Sequence, residues 1–186
     1  AALRDAVAAS FNRVVVDGCT STNDTVLLLA SGFAGPPADL AVFRASLAAA
    51  CRSLALQMAA DAEGHTKVVT IEITGAADDA EADRAARKLA TSLLVKCSFY
   101  GSDPYWGRVL SDLGTAGAAM DIDRVTVAYD DVVVSRGLAP TGADAKHVAG
   151  ADEFALRCDL GVGTGSSWVV TNDLTHAYVD ENMGTS

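Results

Sequence analysis

Hydrophobic and polar residues follow two different periods along this chain, and each period predicts a type of element. Between residues 40 and 58, large apolar side chains recur every three or four positions, the spacing of one helix face; they are Leu40, Phe43, Leu47, Cys51, Leu54 and Met58. Asp39 suits the start of this helix, and Gly64 is predicted to end it. In "VVTIEIT" the period becomes two, which predicts a half-buried strand carrying Val69, Ile71 and Ile73 on one face.

The remaining pattern predicts further helices and strands around these two. Helices are expected over 2–14, 25–31, 78–94 and 108–113, with a last helical turn after a Thr175 cap. Short strands are expected over 14–17, in a hairpin over 124–135 that turns at Asp130-Asp131, and on both sides of Gly163-Thr164-Gly165. This mixture predicts an α+β fold of layered helices and sheet, with mixed and antiparallel strands, in one domain over 1–186.

Composition and charge exclude several classes of function. Asp and Glu number 24 against 14 Lys and Arg, a formal net charge of −10, and no basic cluster interrupts it. Nucleic-acid binding is therefore not expected. No apolar run approaches the roughly 20 residues that span a bilayer, and no signal-peptide pattern opens the chain, so we expect a cytoplasmic protein without a membrane partner. The four cysteines and three histidines lie far apart, which favours reduced thiols and no metal site.

Two polar stretches could carry chemistry. In "CTSTNDT", Ser21 and Asp24 fit a capping box, but this leaves Thr20, Thr22 and Asn23 unexplained. A helix N-terminus ringed by hydroxyls also suits an anionic group. In "DAEGHTK", Glu63 stands near the predicted C-terminal end of a helix, where the dipole disfavours a carboxylate. Glu63 is therefore either a solvated surface residue or part of a site.

Two further stretches have structural interpretations. "GSDPYWGR" is typical of a loop that Trp106 packing and an Asp103–Arg108 ion pair would hold. "GVGTGS" precedes a predicted strand, not a helix, so it is interpreted as a hairpin turn and not as a dinucleotide loop. From residue spacing alone, the chemistry of this α+β chain stays open.

Five motifs taken together resemble one family. "DGCTSTNDT", "DAEGHTK", "LVKCSFYGSDPYWGRVL", "DLGVGTG" and "TNDLTHAYVDEN" occur in this order, over nearly the whole chain. Their order and separations are similar to those of the β chain of the ornithine acetyltransferase (glutamate N-acetyltransferase) family, which works in arginine biosynthesis.

The resemblance implies a self-cleaving precursor and a layered fold like that of N-terminal nucleophile enzymes. The nucleophile would be a β-chain N-terminal threonine, roughly twenty residues upstream of Ala1, with its own α-amine as general base. It would carry acetyl from N-acetylornithine to glutamate in a ping-pong reaction that releases ornithine. The partner would be the α chain of the same precursor, in an α2β2 heterotetramer. The family is cytoplasmic and uses neither metal nor cofactor; the resemblance leaves open whether acetyl-CoA also donates acetyl groups.

Carried over residue by residue, the resemblance assigns substrate contacts to Glu63, Asn182 and Ser186. A carboxylate at Glu63 suits a substrate ammonium. The resemblance places Thr22, Asn23 and Asp24 behind these contacts, supporting the polar wall near the nucleophile. Tyr105 stands where the family has Asn in "DPNWGR".

Two alternatives stay open beside the acetyltransferase. One is a self-processing N-terminal nucleophile amidase or aminopeptidase, which would release its product to water without an acceptor. The other is a non-catalytic subunit that binds an amino acid, an alternative that the alanine at position 1 keeps open. Assays of acetyl transfer separate the first alternative, and a precursor with threonine at its cleavage point would dismiss the second.

Overall fold

The elements of the chain follow from a computed structural model that describes residues 1–184. The helices are α1 (Ala2–Ala8), α2 (Leu40–Ala59), α3 (Asp79–Ala90), α4 (Leu93–Tyr100), α5 (Trp106–Leu113), α6 (Lys146–Ala149) and α7 (His176–Asn182), with a 3-10 turn at Phe11–Arg13. The strands are β1 (Val68–Ala76), β2 (Thr126–Tyr129), β3 (Val132–Arg136), β4 (Ala139–Pro140), β5 (Glu153–Asp159) and β6 (Gly165–Asn172).

The six strands form one mixed sheet in the order β4-β3-β2-β5-β1-β6. β1 runs parallel to β5 and antiparallel to β6, and the β2–β3, β2–β5 and β3–β4 pairs are antiparallel. Ile71 at the centre of β1 lies opposite Leu156 on one side and Val169 on the other. Because the sheet is mixed and helices pack on it, the predicted α+β fold class is confirmed.

The main core lies between the sheet and α3. The predicted strand face of Val69, Ile71 and Ile73 is fully buried, as the alternating pattern indicates. α3 buries a face made mostly of alanine and packs against β1 and β6. Small side chains let the helix approach the sheet closely, and close packing of this kind stabilises the core.

Helix α2 forms where the sequence predicts it, but its predicted apolar face is not a core face in this chain. Asp39 caps it by accepting from the Ala41 and Val42 amides. The residues that it buries are Cys51, Ala55 and Ala59, on the side that meets α1 and β6. Of the six predicted positions only Cys51 is buried, and Leu40, Phe43, Leu54 and Met58 are exposed.

The stretch before α2 differs from three predictions. The predicted helix over 25–31 is absent, because residues 19–38 contain neither helix nor strand. Leu29 is 88% exposed and Phe33 is 99% exposed, so nothing buries an apolar face, and so short a helix is not stable alone. The predicted strand over 14–17 reduces to a single bridge between Val14 and Val170. The predicted helix over 2–14 ends early, at Ala8.

The predicted helix over 78–94 is two helices. Ser92 ends the first by capping α4, since its hydroxyl accepts from the Val95 amide at 3.2 Å. The sequence did not predict α4. Trp106 packs against the core as predicted. The predicted Asp103–Arg108 ion pair is absent among the described residues; the Arg108 guanidinium instead lies over the Tyr105 ring, 5.3 Å from its centroid.

One predicted hairpin is confirmed and one is wrong. β2 and β3 turn at Asp130-Asp131, where Asp130 adopts a left-handed φ of 49°. β5 and β6 are not neighbours, because β1 lies between them. The glycine-rich connection crosses the end of β1 instead, with Val162 and Gly163 donating backbone hydrogen bonds to the Gly75 carbonyl.

Candidate functional site

The corner that follows α2 is bound to the residues that lead into α7. The Asp173 carboxylate accepts hydrogen bonds from the Thr66 amide at 2.9 Å, the Lys67 amide at 3.0 Å and the Thr66 hydroxyl. Thr175 donates its hydroxyl proton to the Gly64 carbonyl and accepts from the Tyr178 amide at 3.0 Å, which confirms its role as the helix cap. Residues distant in sequence therefore form one rigid corner.

Gly64 permits this contact. Its φ of +64° is left-handed, and an added Cβ would lie 2.3 Å from the Tyr178 backbone nitrogen. The prediction that Gly64 ends α2 is wrong, because that helix ends at Ala59. The role of the glycine is to let α7 approach the corner.

Two of the predicted substrate-contact residues meet here. The Asn182 side-chain amide donates to Glu63 Oε1 at 3.0 Å and to the Tyr178 carbonyl at 2.9 Å. The second bond fixes the amide within α7, so that its other proton orients the glutamate carboxylate. Glu63 and Asn182 are exposed, and the carboxylate is accessible to a ligand.

Glu63 borders a cavity of about 110 Å³, hereafter the Glu63 cavity. One water needs only about 10–15 Å³ of such volume, so part of an amino acid fits in it. Its walls come from the segment after the 3-10 turn, the ends of α3 and β6, and α4 and α7; they are formed by Val16, Asp17, Glu63, Thr91, Leu93, Lys96, Asn172, Asp173, Leu174 and Tyr178.

The cavity contains charges of both signs. Burial lowers the pKa of Lys96 to about 8, although the charges of Asp173 and Asp17 act in the opposite direction. The pKa of Tyr178 is raised, first by burial and then by the charges of Asp17 and Glu63. Carboxylates and an ammonium in one cavity suit a small zwitterion, such as an amino acid.

The cavity walls offer no free serine, threonine or cysteine nucleophile among the described residues. They include neither serine, cysteine nor histidine, and the hydroxyl of Thr91 donates to the Arg87 carbonyl. Nor do residues 1–184 contain a group of three or more His, Cys, Asp or Glu side chains placed to hold a metal ion. All four cysteines are free.

The other predicted residues are not brought to this cavity. Thr22, Asn23 and Asp24 lie in the exposed irregular segment, and no hydrogen bond between described residues joins them to the cavity walls. Ser21 still accepts from the Asp24 amide at 3.0 Å, so the capping-box contact forms without a helix. The supporting role of these residues stays a prediction, and Ser186 lies outside the described residues.

Of the ten residues that line the cavity, sequence reasoning selected only Glu63; four of the polar ones that it missed are Asp17, Lys96, Asn172 and Tyr178. Each lies inside a quoted motif or next to one, but only the folded chain brings the four together. One signal was available for Lys96, because it is the only charged residue in the apolar stretch "LLVKCSFY". A lysine that is buried by its helix neighbours must find polar partners.

Comparison with known proteins gives consistent results at the levels of family, sequence and structure. A family model described as "ArgJ family" matches residues 1–184. Proteins named arginine biosynthesis bifunctional protein ArgJ from Mycobacterium tuberculosis (strain H37Rv) and Thermobifida fusca are 45% and 44% identical over 186 residues. These matches cover all of this chain but 46% and 49% of the relatives, so the chain spans about half the length of the curated relatives it matches.

A solved structure agrees with these matches. The crystal structure of arginine biosynthesis bifunctional protein ArgJ from Bacillus halodurans superimposes with a TM-score of 0.91 at 37% identity, and the match covers 98% of this chain and 91% of that chain. The family resemblance deduced from the five motifs is therefore confirmed.

Proposed function

The chain belongs to the ArgJ family, and from that premise we propose that it is the β chain of an acetyltransferase that moves the acetyl group of N-acetylornithine to glutamate. The observation that carries this proposal is the family match over residues 1–184, together with relatives named for arginine biosynthesis. We also propose that the enzyme is cytoplasmic, as the family resemblance implies.

The reaction proceeds in two half-reactions through an acetylated threonine. The threonine hydroxyl attacks the acetyl carbonyl of N-acetylornithine, the C–N bond breaks, and ornithine leaves with the proton. The amine of glutamate then attacks the acetyl-threonine ester, and the hydroxyl is regenerated. The free α-amine of the same threonine acts as general base, which requires that the precursor has been cleaved directly before it.

The corner at α7 supplies substrate contacts in this proposal. Glu63 binds an ammonium group of the substrate. Asn182 orients the Glu63 carboxylate through the 3.0 Å hydrogen bond between the two side chains. Ser186 adds a further contact, and Thr22, Asn23 and Asp24 support the polar wall near the nucleophile. The mixed charge of the Glu63 cavity supports a zwitterionic substrate.

The α chain of the precursor is the proposed partner, in an α2β2 assembly. This chain covers 46% of a curated relative but 91% of the solved chain from Bacillus halodurans, a difference in length that division of a precursor into two chains would produce. The irregular segment over 19–38 and the helix α2 that follows it also expose large apolar side chains; these are Leu27, Leu28, Leu29, Phe33, Leu40, Val42, Phe43, Leu54 and Met58. Apolar surface of this extent is typical of an interface.

The test is to express the whole precursor and measure both its processing and its activity. Intact mass and N-terminal sequencing should find two chains, the second beginning with threonine upstream of Ala1. The purified protein should then form N-acetylglutamate and ornithine from N-acetylornithine and glutamate. Release of acetate without transfer would indicate a hydrolase, and a single uncleaved chain without activity would contradict the proposal.

A second assay determines the range of acetyl donors. The relatives are named bifunctional, and we propose acetyl-CoA as a second donor to glutamate. Formation of N-acetylglutamate from acetyl-CoA in the absence of N-acetylornithine would support this donor. No product above the enzyme-free rate would limit the enzyme to N-acetylornithine.

A further inference from the structure

Lys96 is a buried cation whose hydrogen bonds within the chain are incomplete. Its side chain is 5% exposed, and its ammonium donates to the Val16 carbonyl and to the Thr171 hydroxyl, the latter at 3.2 Å. A lysine ammonium has three donors, so one has no partner among the described residues. The ammonium also forms no ion pair with their carboxylates.

The nearby carboxylates have other partners. Asp173 is held by the Thr66 and Lys67 amides, and Asp17 accepts from the Cys19 amide at 2.7 Å. Their charges act on Lys96 without contacting it, and burial still lowers its pKa. A buried charge without a direct counterion is costly, and a bound anion relieves that cost.

Asn172 is a second buried polar side chain on the same cavity wall whose hydrogen bonds are incomplete. It is 1% exposed, and its side-chain nitrogen donates to the Ala59 and Lys67 carbonyls at 2.8 and 3.2 Å, which fixes the orientation of the amide. Its Oδ1 atom is buried with no hydrogen-bond partner. Asn172 and Lys96 both line the Glu63 cavity, and each has one polar group without a partner among the described residues.

The two amino acids of the proposed reaction differ in charge at the ends of their side chains. N-acetylornithine ends in an ammonium, and glutamate ends in a carboxylate. In a ping-pong reaction the same site receives both in turn. Glu63 suits the ammonium, but it would repel a side-chain carboxylate at the same place, since like charges at short distance disfavour binding. A cation within the same cavity removes this conflict.

We propose that Lys96 binds the side-chain carboxylate of the acceptor glutamate in the second half-reaction, and is a specificity-determining residue of this enzyme. This inference rests on the proposed function. It assigns the acyl donor to Glu63 and the acyl acceptor to Lys96, on different walls of one cavity.

The test uses the processed two-chain enzyme carrying Lys96→Met, whose unbranched side chain is one atom shorter and carries no charge. The two half-reactions are measured separately: ornithine release from N-acetylornithine in a single turnover, and the KM for glutamate and for the neutral analogue glutamine. The KM for glutamate should rise by about tenfold or more, because hydrogen bonds between charged groups are the strong ones. Ornithine release and the KM for glutamine should change by less than about threefold.

Lys146→Met is the matched control, because it removes the charge of an exposed lysine that does not line the Glu63 cavity; the KM for glutamate should stay within about threefold of the original. If Lys96→Met impaired ornithine release as much as the reaction with glutamate, the lysine would have a structural role and the inference would be overturned. An unchanged KM for glutamate would overturn it as well. If the unmutated enzyme releases no ornithine from N-acetylornithine, the proposed function itself fails, an outcome that is distinct from both.

Discussion

At the scale of single residues, the cavity combines one side chain held by its neighbour and one that local preference would place elsewhere. The conflict predicted between Glu63 and a helix dipole does not arise, because α2 ends four residues earlier, at Ala59. The Glu63 carboxylate is instead held by the hydrogen bond from the Asn182 amide. Lys96 is the only charge in an apolar helix. Departures of this kind from local preference are expected where a residue serves binding.

Replacing Glu63 tests its role with little structural change. Glu63→Gln keeps an oxygen that accepts from Asn182 but removes the charge that would bind an ammonium. We expect kcat/KM for N-acetylornithine to fall by more than about tenfold, or about 1.4 kcal/mol. Asp61→Asn removes an exposed carboxylate two residues away and should leave kcat/KM nearly unchanged. Similar kinetics for both variants would remove Glu63 from the site.

Burial of Lys96 makes stability depend on pH in a defined direction. The folded-state pKa of Lys96 is about 8, below the ordinary 10.5, so the unfolded chain binds more protons between these values. The free energy of unfolding therefore rises with pH from about 8 to 10.5 through this residue. Between these pH values, the free energy of unfolding of the unmutated protein should rise by a few kcal/mol more than that of Lys96→Met. This corresponds to roughly 1.4 kcal/mol for each pH unit by which the pKa is shifted.

Urea unfolding of the two proteins at several pH values measures this difference. Lys146→Met, which removes an exposed lysine, is the control. A difference between the unmutated protein and Lys96→Met that stays flat with pH would contradict the burial effect. If the difference in unfolding free energy between the unmutated protein and Lys146→Met rose with pH by a similar amount, the trend would not come from the burial of Lys96.

At the scale of elements, α7 depends on the corner that follows α2. This short helix buries none of its own residues. Asp173, Thr175 and Asn182 attach it to residues 63–67 through hydrogen bonds. The position of Asn182 is therefore set by side-chain hydrogen bonds at the corner rather than by a buried hydrophobic face of the helix.

A pair of glycine substitutions tests this dependence. Gly64→Ala should lower stability through its left-handed φ and through the 2.3 Å approach to Tyr178. Gly142→Ala has a similar φ of +84° with nothing within 4 Å, so it measures the backbone strain alone. We expect Gly142→Ala to lower the free energy of unfolding by about 1 kcal/mol, and Gly64→Ala to lower it by about 1–3 kcal/mol more. Thermal unfolding of the two variants measures this difference. Equal losses of stability would show that the contact between Gly64 and α7 is not tight.

At the scale of the whole molecule, the chain leaves apolar surface uncovered. Leu29 and Phe33 are almost fully exposed, and α2 turns much of its predicted apolar face outward. In the proposed αβ enzyme, the α chain covers this surface. The absence of the predicted helix at 25–31 has the same cause, because an apolar segment without a partner gains nothing from becoming helical.

Charged substitutions on this surface test the partner. Leu29→Asp and Phe33→Asp together should reduce the amount of α chain that elutes with this chain by about tenfold or more, since a buried unpaired carboxylate disfavours association. Ile122→Asp, at a residue that is 55% exposed in another part of the chain, is the control. Size-exclusion chromatography with light scattering measures the complex. Normal assembly of the double variant would place the interface elsewhere.

Elements with a strong period could be predicted from the sequence, and their connections could not. The pattern places α2, β1 and the β2–β3 hairpin correctly, because an amphipathic period depends only on the order of residues. It misses α4, whose start depends on the Ser92 hydroxyl within an otherwise helical stretch. It also pairs β5 with β6, which are adjacent in sequence. In the structure β1 lies between them, and its position depends on contacts between residues distant in sequence.

The sequence by itself determined the family, because the five ordered motifs can be recognised without any knowledge of the fold. It also selected Glu63 and Asn182 as substrate contacts; the structure places their side chains 3.0 Å apart, and their role in binding stays a prediction. Only the tertiary structure decided that Asp17, Lys96, Asn172 and Tyr178 share one cavity. Burial and the loss of solvent around a charge depend on packing between residues distant in sequence, and these interactions make Lys96 unusual.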